Sequence, residues 1–177
     1  MKKPAMALTV ILLVVLSMVT LAQAPPKPGP EAQKLQVFVG TWTMNGEDKA
    51  GPTGPGGKVT GTDRIESLGG FFVQRNFQGK SGTAEVKGTH IWGWDPVKKT
   101  YVQSSYGSDG SFSSGTVTVS GNTWTFMASG VAGGKAVQEK CTVTFEANNT
   151  ALAVKCDAST DGKTWSPSFE GKSTKSK

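Results

Sequence analysis

From Gln36 onward, apolar and polar positions alternate in runs of six to ten residues rich in Val, Thr, Phe, Trp and Tyr. Gly, Asn, Asp or Pro interrupts them about every dozen residues. Period-two alternation bounded by turn formers is the pattern of half-buried strands. It predicts strands near 37–47, 58–67, 71–79, 84–94, 100–106, 111–120, 123–129, 136–147, 150–158 and 164–173, after a single helical turn at Glu31–Leu35. No gap is long enough for a crossover helix, so sequential strands must pair antiparallel with their neighbours. A flat sheet of this many strands leaves long unpaired edges, and closure removes them. The expected fold is all-β: a closed antiparallel up-and-down barrel of about ten strands. Its least regular connection is Lys49–Gly57, where the glycines and prolines exclude regular structure.

One hairpin can be placed to the residue. Asn148-Asn149 suits a two-residue turn with positive φ at both positions, and such a turn pairs residues whose numbers sum to 297. Phe145 then faces Leu152, Val143 faces Val154 and Cys141 faces Cys156, all on one face. Thr144 with Ala153, Thr142 with Lys155 and Lys140 with Asp157 form a polar opposite face. Turn chemistry and alternation agree on one register, and this register sets Cys141 and Cys156, the chain's two cysteines, within disulfide reach. No C-x-x-C spacing marks a redox-active pair.

The N-terminal segment changes the picture from a barrel to an exported barrel. Lys2 and Lys3 precede an apolar stretch from Ala5 to Val19 and the small-residue sequence Thr20-Leu21-Ala22-Gln23-Ala24. This is the layout of a signal peptide, residues 1–24, cleaved after Ala22 or Ala24. The expected product is secreted or periplasmic, with no stable membrane insertion after cleavage. Residues 25–34 read as a stiff Pro-rich leader, 35–173 as one barrel domain and 174–177 as a basic tail. Loss of Lys2 and Lys3 lowers the formal charge from +6 to +4. No face clusters Arg and Lys with aromatics, so no nucleic-acid partner is expected.

Candidate chemistry is sparse. The single histidine lies in Thr89-His90-Ile91-Trp92-Gly93-Trp94, where alternation puts His90, Trp92 and Trp94 on one face. That face, with neighbouring Tyr101, is either the wall of a ligand cavity with a polar handle or an aromatic core layer holding a satisfied histidine. Arg64 and Arg75 are the only arginines. They are available to grip a ligand carboxylate, or to form exposed ion pairs with Asp63 or Glu66. Gly79-Lys80-Ser81, Gly162-Lys163-Thr164 and Gly171-Lys172-Ser173 lack the preceding glycine and following helix of a phosphate loop. No spacing of His, Cys and carboxylates indicates a metal site, and no cofactor is expected.

At Leu35-Gln36-Val37-Phe38-Val39-Gly40-Thr41-Trp42 the sequence resembles the opening of lipocalin-like, fatty-acid-binding-like barrels, whose Gly-x-Trp begins the first strand. Leu68-Gly69-Gly70-Phe71-Phe72, Gly93-Trp94-Asp95 followed by Tyr101, and Asp161-Gly162-Lys163 are similar to a bacterial family of exported proteins known only as a domain of unknown function, number 1579. The resemblance runs from about Leu35 to Lys172 and implies a barrel and an export route without an established activity. It also implies that Trp42 closes one barrel end beneath a basic residue from a late strand, for which Lys155 and Lys172 are the candidates. A related haem-binding barrel family carries its ligand histidine near the C-terminus, where this chain has none.

Three functional classes follow. The first is a barrel binding a small apolar, lipid-like molecule through His90, Trp92, Trp94, Tyr101, Arg64 and Arg75. The second is an envelope protein acting through a protein partner, with an exposed apolar patch at Phe71-Phe72 or Trp92/Trp94. The third is an enzyme pairing His90 with a barrel carboxylate such as Asp63 or Glu66.

Overall fold

The structure is a computed structural model that describes residues 26–51 and 54–176. The proposed signal peptide and its cleavage site, together with Pro25 and Pro52, lie outside the described residues. A short helix α1 (Pro30–Lys34) and a 3-10 turn (Leu35–Phe38) lead into ten strands. These are β1 (Gly40–Asp48), β2 (Gly57–Leu68), β3 (Phe72–Ser81), β4 (Ala84–Asp95), β5 (Thr100–Gly107), β6 (Phe112–Ser120), β7 (Thr123–Ala132), β8 (Lys135–Glu146), β9 (Ala151–Ser159) and β10 (Ser166–Lys175). Each strand pairs antiparallel with its chain neighbours, and β1 pairs with β10 to close the barrel. The up-and-down topology expected from the missing crossovers is the one observed.

The first strand starts three residues later than the alternation suggests. Leu35–Phe38 forms the 3-10 turn instead, and both end residues are buried. The reason is tertiary: Phe38 enters the end of the barrel, with its ring centroid 4.9 Å from Trp92, 4.9 Å from Trp124 and 5.0 Å from Phe145. The Tyr101 hydroxyl donates to the Glu31 carboxylate at 2.8 Å, tying α1 across the same end. Burial and this bond to Glu31 push the Tyr101 pKa upward.

The Gly-x-Trp opening is explained by one cluster. The Trp42 indole is 1% exposed and donates to the Phe38 carbonyl oxygen at 2.8 Å. Lys175 stands opposite Trp42 in the β1–β10 register, its ammonium 5.2 Å from the ring centroid. A Cβ on Gly40, whose φ is +141°, would meet the Lys175 stem at 2.4 Å, so a glycine there leaves room for the lysine to cross. The basic residue over the tryptophan is therefore Lys175. Lys155 and Lys172 point outward and face Glu170 and Glu146 at the surface.

The remaining shared motifs set turns and packing. The Asp95 carboxylate accepts the backbone N–H groups of Val97 and Lys98 at 2.9 and 3.0 Å, which shapes the β4–β5 turn. Asp161 accepts those of Lys163 and Thr164, both at 2.7 Å, in the β9–β10 turn. These bonds hold its pKa down to about 2. Phe72 lies across Gly93 on the outer surface, where an added Cβ would come within 2.2 Å of the ring.

The β8–β9 hairpin has the register read from its turn: Cys141 opposite Cys156, Val143 opposite Val154 and Phe145 opposite Leu152. Asn148 and Asn149 have φ of 55° and 64°. The Cys141–Cys156 disulfide is formed, and the polar face of the hairpin is the outer one.

Candidate functional site

Two halves of the barrel interior differ. Near α1 the lumen is filled by Phe38, Trp42, Val73, Tyr101, Trp124 and Phe145. Towards the other end the inward positions carry smaller or polar side chains, and a cavity of about 300 Å³ remains. Its lower wall includes Trp92, Phe126, Ile65 and Leu152; its upper part holds Asp63, Arg75, His90, Glu139 and Asp48. A second space of about 290 Å³ shares Arg75, His90 and Glu139 with it, and continues towards Tyr106, Asp109 and Phe112 at the mouth. The volume is at the small end of the range for ligand sites.

Strand alternation, once the inward face is known, accounts for each position. On β4, His90 and Trp92 point inward; on β3, Arg75 does so directly opposite His90. On β2, Asp63 is inward and buried, and accepts a hydrogen bond from Arg75 Nε at 2.6 Å. The Arg75 guanidinium also lies 5.4 Å from the centroid of Phe77. Glu139 on β8 and Asp48 on β1 enter the same space. Ser81 donates a hydrogen bond to Asp48. Glu139 is open to solvent at the barrel mouth; desolvation by the surrounding walls, and then the charge of Asp48, raises its pKa.

Of the six ligand-binding residues expected from sequence, the structure brings together His90, Trp92 and Arg75. The other three are elsewhere. Arg64 alternates to the outside, where it is exposed and pairs with Glu66 at 2.9 Å. Trp94 and Tyr101 stack with centroids 4.8 Å apart in the filled end, beyond the cavity. Because a strand advances by roughly 3.3 Å per residue, residues sharing one of its faces lie at different depths in the barrel. His90, Trp92 and Trp94 therefore run from cavity to core. The inward direction of Trp92 and Trp94 also removes them as an exposed partner patch, whereas Leu68 and Phe72 are partly exposed, each 42%.

Sequence reasoning missed Glu139 and Asp48. The signal was present: Glu139 shares alternation with Cys141, Val143 and Phe145, and Asp48 with Trp42 and Met44. The disulfide also lies on the cavity wall. Glu139, Cys141 and Cys156 form a cluster of metal-ligand types, but the disulfide leaves no thiolate to bind an ion.

Trp92 is 6% exposed, and its indole N–H has no acceptor among the described residues. A buried donor without a partner is costly, and a molecule in the adjoining cavity is one source of an acceptor. His90 is partly buried and lines the same cavity. Burial, with the Arg75 charge beside it, pushes its pKa down to about 3, so it presents a neutral imidazole at physiological pH. In the unfolded chain the same group takes its proton near pH 6.5. Between these values the unfolded state binds more protons, so stability is lost as pH falls from about 6.5 towards 3, by up to a few kcal/mol. Replacing the group should remove this dependence: His90→Gln is expected to lose less stability than wild type between pH 7 and pH 4 in denaturant unfolding. Identical profiles for the two proteins would mean that His90 titrates freely.

No curated protein sequence matches the chain. Among solved structures, the barrel is similar to Rv2717c from M. tuberculosis, with a TM-score of 0.60 at 14% identity, covering 85% of this chain and 100% of that one. It is also similar to the S-type phycobiliprotein lyase CPES from Guillardia theta, with a TM-score of 0.52 at 11% identity, covering 81% of this chain and 91% of that one. At such identities the likeness is one of fold. The family is established by sequence over almost the whole described barrel: the model of DUF1579, a protein family of unknown function, matches residues 27–175, and the chain belongs to that family.

Proposed function

We propose that this protein is an exported barrel that holds a small, largely apolar molecule in its lumen. The observation that carries the reading is the cavity of about 300 Å³ beside the filled end, walled by Trp92, Phe126, Ile65 and Leu152 and capped by polar groups. A packed interior leaves few voids larger than a water molecule, so an opening of this size on a continuous apolar wall fits a ligand better than a structural role. The unpaired Trp92 N–H supports the same reading. So does the structural likeness to a phycobiliprotein lyase, at the level of a barrel of similar shape.

The catalytic reading has less support. Opposite His90 in register stand Arg75 and Ser105. Neither is a carboxylate that would orient an imidazole as a general base, and Arg75 is already engaged by Asp63.

Extraction of the purified, processed protein into organic solvent, followed by mass spectrometry, should release a small apolar compound. Independently, an apolar probe should quench tryptophan fluorescence saturably, with affinity weakened about tenfold or more by Trp92→Ala while the far-UV signal of the barrel survives. Absence of both a co-purifying molecule and saturable quenching would reject the reading. In that case the partly exposed Leu68/Phe72 surface becomes the place to seek a protein partner.

A further inference from the structure

The polar groups of the lumen decide what head group such a ligand carries, an inference that rests on the lumen-binding reading above. The chain as a whole is positively charged, with 19 Lys and Arg against 13 Asp and Glu. The cavity is the opposite. Its charged lining consists of Asp48, Asp63 and Glu139 against one cation, Arg75. The 2.6 Å hydrogen bond from Arg75 Nε commits that cation to Asp63. His90 is opposite Arg75 and adds a neutral imidazole, while Gln103, Ser105 and Ser113 are neutral. The hydroxyls of the two serines bond to each other at 2.8 Å. At the mouth a further acid, Asp109, borders the space and accepts hydrogen bonds from Ser111. Once Arg75 and Asp63 are paired, the lining offers Asp48 and Glu139 no further cation among the described residues.

The space beside Glu139 is open. Its registered neighbours are Ala128 on β7 and Ala158 on β9, two side chains that end at Cβ. Glu139 thus faces the cavity across small walls, and the aromatic surface of Trp92 and Phe126 lies in the same cavity. Attraction between charges is strengthened in a site of reduced dielectric constant, and so is repulsion. We propose that the barrel selects its ligand by charge: it takes an amphiphile bearing an amine, with the apolar part on Trp92 and Phe126 and the ammonium at Glu139 and Asp48, and it excludes free carboxylates. This reverses the expectation that Arg64 and Arg75 would grip a ligand acid. Arg64 is outside the barrel, and Arg75 has its carboxylate within the protein.

The test compares probes that share one apolar part. Octylamine, octanol and octanoate are titrated into the full processed protein at pH 7 by isothermal titration calorimetry. The amine should bind tightest and octanoate at least about tenfold more weakly than the amine. Glu139→Gln keeps the shape of the side chain and removes its charge, so it should weaken octylamine about tenfold and leave octanol within about twofold. Asp63→Asn frees Arg75 and should raise octanoate affinity. If that variant does not fold, the wild-type series and Glu139→Gln still decide the matter. Octanoate binding as tightly as octylamine, or octylamine unaffected by Glu139→Gln, would overturn the charge rule alone. Failure of all three probes to bind would overturn the lumen-binding reading and the charge rule with it.

Discussion

Trp42→Ala is expected to cost about 3–5 kcal/mol of folding stability, the range for removing a buried large aromatic side chain. The indole is almost fully buried and performs three tasks at the filled end. It packs against Phe145 with centroids 6.2 Å apart, donates to the Phe38 carbonyl, and lies under the Lys175 ammonium. Its removal leaves a cavity, an acceptor without its donor and a lysine without its ring. The 3-10 turn carrying Phe38 loses its fixed point at the same time, so loss of order should extend from β1 to the plug. Trp42→Phe keeps part of the apolar volume but not the hydrogen bond, and should fall between wild type and the alanine variant. Urea unfolding followed by circular dichroism measures both. A loss below about 1 kcal/mol for Trp42→Ala would place the indole outside the core.

Removal of the disulfide is the second large effect. Cys141 and Cys156 are separated by 15 positions, and for a loop of that size the chain-entropy account gives about 3 kcal/mol. The paired Cys141→Ala and Cys156→Ala variant should be destabilised by roughly that amount while keeping the barrel fold, because the hairpin register also rests on the Phe145–Leu152 and Val143–Val154 pairs and on the Asn148-Asn149 turn. Thiol labelling of the oxidised protein should find both cysteines protected until reductant is added. Free labelling without reductant would break the assignment. Since the bridge lies on the cavity wall, the double variant should also alter probe binding in the lumen, an effect that a disulfide on the outer surface would not have.

Local rules account for most of the architecture because a meander is built from neighbours. Strand spacing, turn residues and the absence of crossover lengths lead to ten antiparallel strands without knowledge of any long-range contact. The β8–β9 hairpin was legible to the individual pair, since its two-residue turn leaves a single register. The first strand was misread at its start because Val37 and Phe38 satisfy the alternation of a strand. What makes them a 3-10 turn is the barrel end into which Phe38 fits, and that end exists only when β4, β7 and β8 are assembled around it.

The lysine over Trp42 shows the same division. Lys155 and Lys172 are on late strands but alternate to the outside, whereas Lys175 comes opposite Trp42 through the β1–β10 pairing. That pairing joins the first and last strands of the barrel, and β10 carries a shift of register against β9 between Pro167 and Phe169. No turn connects these two strands, so no local signal sets their alignment.

By itself, the sequence determined the fold class, the strand count, the disulfide and the aromatic face of β4, each of which depends on interactions between residues near one another along the chain. The tertiary structure alone decided which face turns inward, how deep each residue lies, and which charges meet. Arg64 and Arg75 have equal claims in the sequence; alternation combined with closure sends one to solvent beside Glu66 and the other into the lumen against Asp63. Glu139 and Asp48 lie on strands far apart in sequence and share one cavity because a closed barrel turns every inward position towards the same axis. The charge of that cavity is a property of closure, and a net charge of +6 for the chain carries no trace of it.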